Sequence, residues 1–221
     1  PGRGDRVAQT IFKDLTKRHW YMSLFSCLHI NWDIILIARG LNYSQRKIRK
    51  KQMNELMHVL VDRVSKDRMV DYIKTHPEVL PRVLVLAASD KVPAGWRACW
   101  MLNHYLGNDD PRARPYISNL IAAIPGKIDG HQRELIKLIS KMKLDDEQEG
   151  AMFDQCMNVW ESVKKIPSTR LMAFRFIMSV LQKYPELINE VNYIAQDHYL
   201  DSLSPAIRKS VSRQLEILEV K

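Results

Sequence analysis

From Met53 onward, apolar residues recur at helical spacing. MNELMHVLVDRV sets Leu56, Val59, Leu60 and Val64 at i, i+3, i+4 and i+8, one face of a helix. Residues 67–75 place Met69, Val70 and Ile73 on a shorter face, and the restriction that Pro77 puts on His76 ends it. Residues 77–89 (PEVLPRVLVLAAS) are apolar around most of a helix circumference. A turn at residues 90–93 leads into 92–106, where Ala98, Leu102, Tyr105 and Leu106 form one stripe and Trp96 and Trp100 a second. Helices are predicted over 112–124 and 130–142, 145–163 and 168–184, then 185–199 and 205–220. Breakers at 107–111 and 125–126 separate them.

These segments repeat. Residues 92–106, 128–142, 166–181 and 203–218 each open with an apolar residue and a turn or cap residue, then reach an arginine. Arg97, Arg133, Arg170 and Arg208 are separated by 36, 37 and 38 residues. PEVL at Pro77 returns as PELI at Pro185, 108 residues on, three periods of 36. Such a period predicts an all-α chain: a right-handed α-solenoid of about four helix pairs, each covering its neighbour's apolar face. The two short helices before Pro77 serve as its N-terminal cap. Residues 53–221 are read as one domain.

Residues 1–52 have a different composition. They contain no Glu, and they hold 11 of the 34 Lys+Arg but only 3 of the 25 Asp+Glu, so the formal charge of +9 divides as +8 there and +1 over 53–221. Residues 20–38 are apolar but interrupted by Ser23, Ser26, His29, Asn31 and Asp33, and a basic run, RKIRKK, follows at 46–51. Four readings stay open: a membrane anchor, which Asp33 opposes; a secretory signal; an Arg-rich transit leader; or an extension upstream of a start at Met53.

No pattern of catalysis is found. Cys27, Cys99 and Cys156 are isolated, which argues against disulfides or a zinc site and suits a reducing, cytoplasmic location. Cys99 and Cys156 are expected as buried apolar residues. The seven histidines form no HxxxH pair, and no phosphate loop or GxSxG is present. No cofactor and no metal are expected.

Asp90 precedes Arg97 by seven residues and Asp201 precedes Arg208 by seven, with Pro93 and Pro205 opening the same helices. Asp90, Arg97, Asp201 and Arg208 are expected to form a structural ladder of charge-assisted hydrogen bonds. Over residues 77–219 this pattern resembles the HEAT repeat family. Copy three has Lys164-Lys165 in place of the acid and copy two is irregular, which keeps an armadillo-type variant open.

The resemblance implies a non-catalytic interaction scaffold whose concave face, lined by the second helices, receives a protein or peptide. Trp96, Trp100, His104, Arg133, Lys137 and Arg175 are its candidate binding residues. Some HEAT-like proteins are alkylpurine DNA glycosylases that hold duplex in a basic channel with Trp, Asp and Arg, and Trp96-Arg97-Trp100 makes that the alternative. The near-neutral charge of 53–221 counts against nucleic acid. No membrane partner is expected.

Overall fold

The computed structural model describes residues 43–62, 64–188 and 192–219. The chain divides into two compact units, Pro1–Met53 and Asn54–Lys221. The expectations for residues 1–42, Cys27 among them, lie outside the described residues. Helix α1 (Tyr43–Val61) begins in the first unit, and its Leu56 and Leu60 are buried.

Within the second unit every described element is helical or turn, and no strand occurs among the described residues. Helix α2 (Lys66–Thr75) starts where the Ser65 hydroxyl accepts from the Arg68 amide at 3.4 Å, and buries Met69 and Ile73. A 3-10 turn (Pro77–Val79) leads into α3 (Leu80–Ala88), and α4 (Ala94–Tyr105) folds back on it. Gly95 sits at that crossing: a Cβ there would lie 2.7 Å from the Ser89 carbonyl oxygen and 2.9 Å from the His131 ring.

The next pair is α5 (Ile117–Ala122), preceded by a 3-10 turn (Arg114–Tyr116), and α6 (Asp129–Ile139). Helix α5 is shorter than its sequence pattern predicts. Pro115 brings no amide to its first turns, and the Ile124 carbonyl past its end accepts from the Gln132 side chain at 2.9 Å. Helix α7 (Asp146–Glu161) opens with a full capping box between Asp145 and Gln148, and α8 (Pro167–Lys183) follows.

The helices pack as two rows. Helices α3, α5 and α7 touch in succession, as do α2, α4, α6, α8 and α10 (Pro205–Glu219), and each pair α3/α4, α5/α6 and α7/α8 bridges the rows. Between them lie Leu84, Ala98, Met101, Leu102, Leu120, Leu135, Ile139, Met152, Trp160, Phe174 and Ile177, all essentially without solvent contact. Cys99 and Cys156 belong to this core as expected, and burial pushes both thiols up in pKa.

One predicted helix is broken. Among the described residues of 185–199 stand two 3-10 turns (Pro185–Leu187 and Asn192–Ala195) and, after an extended Gln196, the short α9 (Asp197–Leu200), in place of one helix. The physical reason lies in the preceding layer. Trp160 Nε1 donates to the Ile194 carbonyl at 3.1 Å and Arg170 Nη2 to the Tyr199 carbonyl at 2.8 Å. The Ile194 carbonyl, taken by the indole, is diverted from an i to i+4 helical ladder, while that of Tyr199, at the end of the segment, is one that a helix would leave unpaired.

Candidate functional site

The four repeated arginines occupy equivalent places and do different things. Arg97 Nη2 donates to the Val64 carbonyl (3.1 Å) and lies 3.3 Å from Met69 Sδ, reaching back to the preceding layer. Arg133 meets Glu134 Oε1 at 3.1 Å and Ser168 Oγ at 3.4 Å, reaching forward. Arg170 is fully buried, donating to the carbonyls of Trp160 and Tyr199 at 2.8 Å each and to Ser202 Oγ, with its head 4.6 Å from the Trp160 ring centroid. Only Arg208 forms the pair expected of it, 3.0 Å to Asp201.

The predicted Asp90–Arg97 rung is therefore corrected. Asp90 pairs instead with Lys127 of the next unit, whose hydrogen bond is the main reason its carboxyl pKa falls below the usual carboxylate value. Arg97 is committed to a bare carbonyl one layer earlier, out of reach of that role. The rungs between layers are made by lysines. Asp129 takes Lys165 Nζ at 3.4 Å and the Ile166 amide at 2.6 Å, whereas Glu149 takes Lys183 at 2.7 Å within the single pair α7/α8. Lys127 and Lys165 follow their acids by 37 and 36 residues, so the repeat period itself was the signal for them.

The candidate binding residues lie on the second row. Trp96 is half-buried, and its Nε1 is buried without a hydrogen-bond partner, facing Gly130, where a Cβ would stand 3.7 Å away. Trp100 is half-buried, with its ring 4.5 Å from that of His104, whose Nδ1–H donates to the Trp100 carbonyl at 2.8 Å. Arg133 and Lys137 are half-exposed on α6, and Arg175 is exposed on α8. Neither Lys137 nor Arg175 has a carboxylate partner among the described residues. The Trp96-Arg97-Trp100 trio does not act as a unit, because the Arg97 head is spent inward.

Charge divides between the rows. In the turns and helices of the first row from Pro77 to Glu161, acids outnumber bases: Glu78, Asp146, Glu147, Glu149, Asp154 and Glu161 against Arg82 and Arg114. In α4, α6 and α8 the balance is reversed: Arg97, Arg133, Lys137, Arg170, Arg175 and Lys183 against Asp129 and Glu134. Of those two acids, Glu134 is 4% exposed and held by Asn103 (3.0 Å) and Arg133, and Asp129 is taken by Lys165 and Ile166. The near-neutral total conceals an acidic and a basic row. The basic stripe ends at α2, where a depression of about 330 Å³ beside His104 is lined by Asp67 and Asp71 as well as Lys66 and Lys74.

Among the described residues no group of three His, Cys, Asp or Glu could hold a metal, and no helix is long and apolar enough to cross a membrane. No curated protein and no solved structure matches the chain. A family model described as the HEAT repeat domain does match, over residues 47–218. With the inter-layer bonds recurring at its period, the chain belongs to the HEAT repeat domain family.

Proposed function

We propose that this chain is a non-catalytic protein-interaction scaffold. In this reading it is a right-handed α-solenoid whose second-row helices line the concave face and hold a protein or peptide there. The observation that carries it is the stripe across α4, α6 and α8: Trp100, His104, Lys137 and Arg175 reach solvent and serve no bond between layers. Side chains needed for stacking, such as Arg170 and Lys165, are turned inward or paired. Large aromatic and cationic groups left at a surface are the groups that most often anchor a partner. A cytoplasmic location belongs to the same reading, supported by two buried free thiols.

Panning a random peptide library on the full chain tests it. The expected result is enrichment of peptides whose binding is lost in Trp100→Ala/Arg175→Ala at unchanged melting temperature. No enrichment, or enrichment indifferent to both substitutions, refutes the reading.

A further inference from the structure

We propose that the stripe across α4, α6 and α8 takes an acidic, extended peptide segment, whose carboxylates meet Lys137 and Arg175 and whose apolar residue rests on Trp100. This rests on the scaffold reading and gives its partner a chemistry. Charge complementarity is the first support. The stripe holds Lys137 and Arg175 without carboxylate partners, while the two acids of the same helices are buried or bound. Over α6 and α8 an arriving acid meets cations and no unpaired like charge of those helices, Asp67 and Asp71 lying beyond them beside His104, which favours it there over a neutral or basic segment.

Spacing is the second support. Neighbouring helices in such a row stand about 8–10 Å apart, and an extended chain rises about 3.3 Å per residue. A segment crossing the row therefore meets a new helix about every third residue. The side chains it passes change from aromatic to cationic in that order: Trp100 and His104 on α4, Lys137 on α6 with Ser140 at its C-terminal cap, Arg175 with Ser179 on α8. Half-buried Leu171 and Met172 lie beside Arg175 and give the segment apolar footing. Two unpaired cations over three helices are too few to neutralise the run of phosphates that nucleic acid presents.

The test is fluorescence polarisation on the full chain at about 50 mM salt. The probe is a labelled peptide of about a dozen residues, with Glu at every third position, a terminal Leu, and Ser and Gly between. Saturable binding is expected, weakened about tenfold by Lys137→Glu/Arg175→Glu and also weakened by Trp100→Ala. Lys209→Glu/Arg213→Glu, an equal charge change on α10, should leave it unaltered. Should the double reversal fail to fold, Lys137→Gln/Arg175→Gln replaces it, with the same direction expected.

Absence of saturable binding overturns the proposal, as does tighter binding of single-stranded or duplex DNA through the same residues. Self-association abolished by Lys137→Glu/Arg175→Glu also overturns it, since the acidic α7 of a second copy would then be the occupant. Equal binding of a peptide with Ser for every Glu removes the acid preference and leaves the scaffold reading intact. Failure of both peptides together with an empty library selection removes the scaffold reading as well.

Discussion

Replacing Arg170 with methionine should cost far more stability than the same change at Arg97 or Arg208. Arg170 has no solvent contact, and burial lowers the pKa of its guanidinium, with no carboxylate partner among the described residues. Its charge is met by the carbonyls of Trp160 and Tyr199, by Ser202, and by the Trp160 ring face. Methionine keeps much of the stem's volume and removes the head. Two carbonyls then lose charged donors, at about 1–3 kcal/mol each, and the cation–π contact adds about 1 kcal/mol. Relief from desolvating a cation offsets part of this, leaving about 3 kcal/mol. For a domain of this size about 1 kcal/mol corresponds to 2–4 °C, so Tm should fall by about 6–12 °C. Arg97, half-buried on one carbonyl and a thioether, should cost about 1 kcal/mol. Arg208, in an exposed pair, should cost less than that. Thermal melts followed by circular dichroism on the full chain give all three. Equal shifts, or a shift at Arg170 under about 2 °C, would refute the reasoning.

Three further outcomes follow from single contacts. His131 is 2% exposed and donates Nε2–H to the Ala87 carbonyl at 2.8 Å; burial is the main cause holding its pKa below the ordinary 6.5. The unfolded chain therefore takes up this proton first, so the contribution is intact above about pH 6.5 and drains as pH falls toward the lowered folded value. Melts from about pH 8 to 5 should show a fall in Tm that flattens in His131→Gln, and parallel curves would reject that origin. Gly95→Ala should destabilise by about 1–3 kcal/mol, because its Cβ meets the backbone oxygens of Ser89 and Leu86 at 2.7 and 3.1 Å. A urea midpoint equal to that of the unsubstituted chain would sink this. Cys99 and Cys156, buried with raised pKa values, should escape a thiol reagent in the native state and react in denaturant, as peptide mapping by mass would show.

The period could be read because it is written in residues that fix each unit's register: an arginine early in every second helix and a proline opening some first helices. The core faces of α2, α4 and α6 were legible for the same reason, since each has an apolar stripe. What escaped depends on contacts between layers. The partner of Asp90 is 37 residues away on a lysine, a distance over which adjacency patterns such as Asp-to-Arg at seven residues mislead. The broken segment at 185–199 carries a helical pattern, and the interior carbonyl it loses, that of Ile194, goes to Trp160 reaching in from the layer before. The charge division was hidden by arithmetic: a total of +1 over 53–221 describes neither row. Of the candidate site, the exposed positions were found, but the reason they stay free was not visible.

That reason comes from comparing the repeated arginines with the residues that do not repeat. A side chain recurring at every period invites a single role, yet Arg97 reaches backward, Arg133 and Arg170 reach forward, and Arg208 stays within its own turn. Each follows whichever acceptors its neighbouring layer exposes, so recurrence marks a place in the stack and not a contact. The same logic applies beyond α8. Trp160 and Arg170 bind the carbonyls of Ile194 and Tyr199, which ties that segment to α7 and α8 by polar bonds. Stacking thus consumes the recurring positions. In the proposed scaffold reading, a surface for a partner is built from residues that occur once: Trp100 with His104 on α4, Lys137 on α6 and Arg175 on α8.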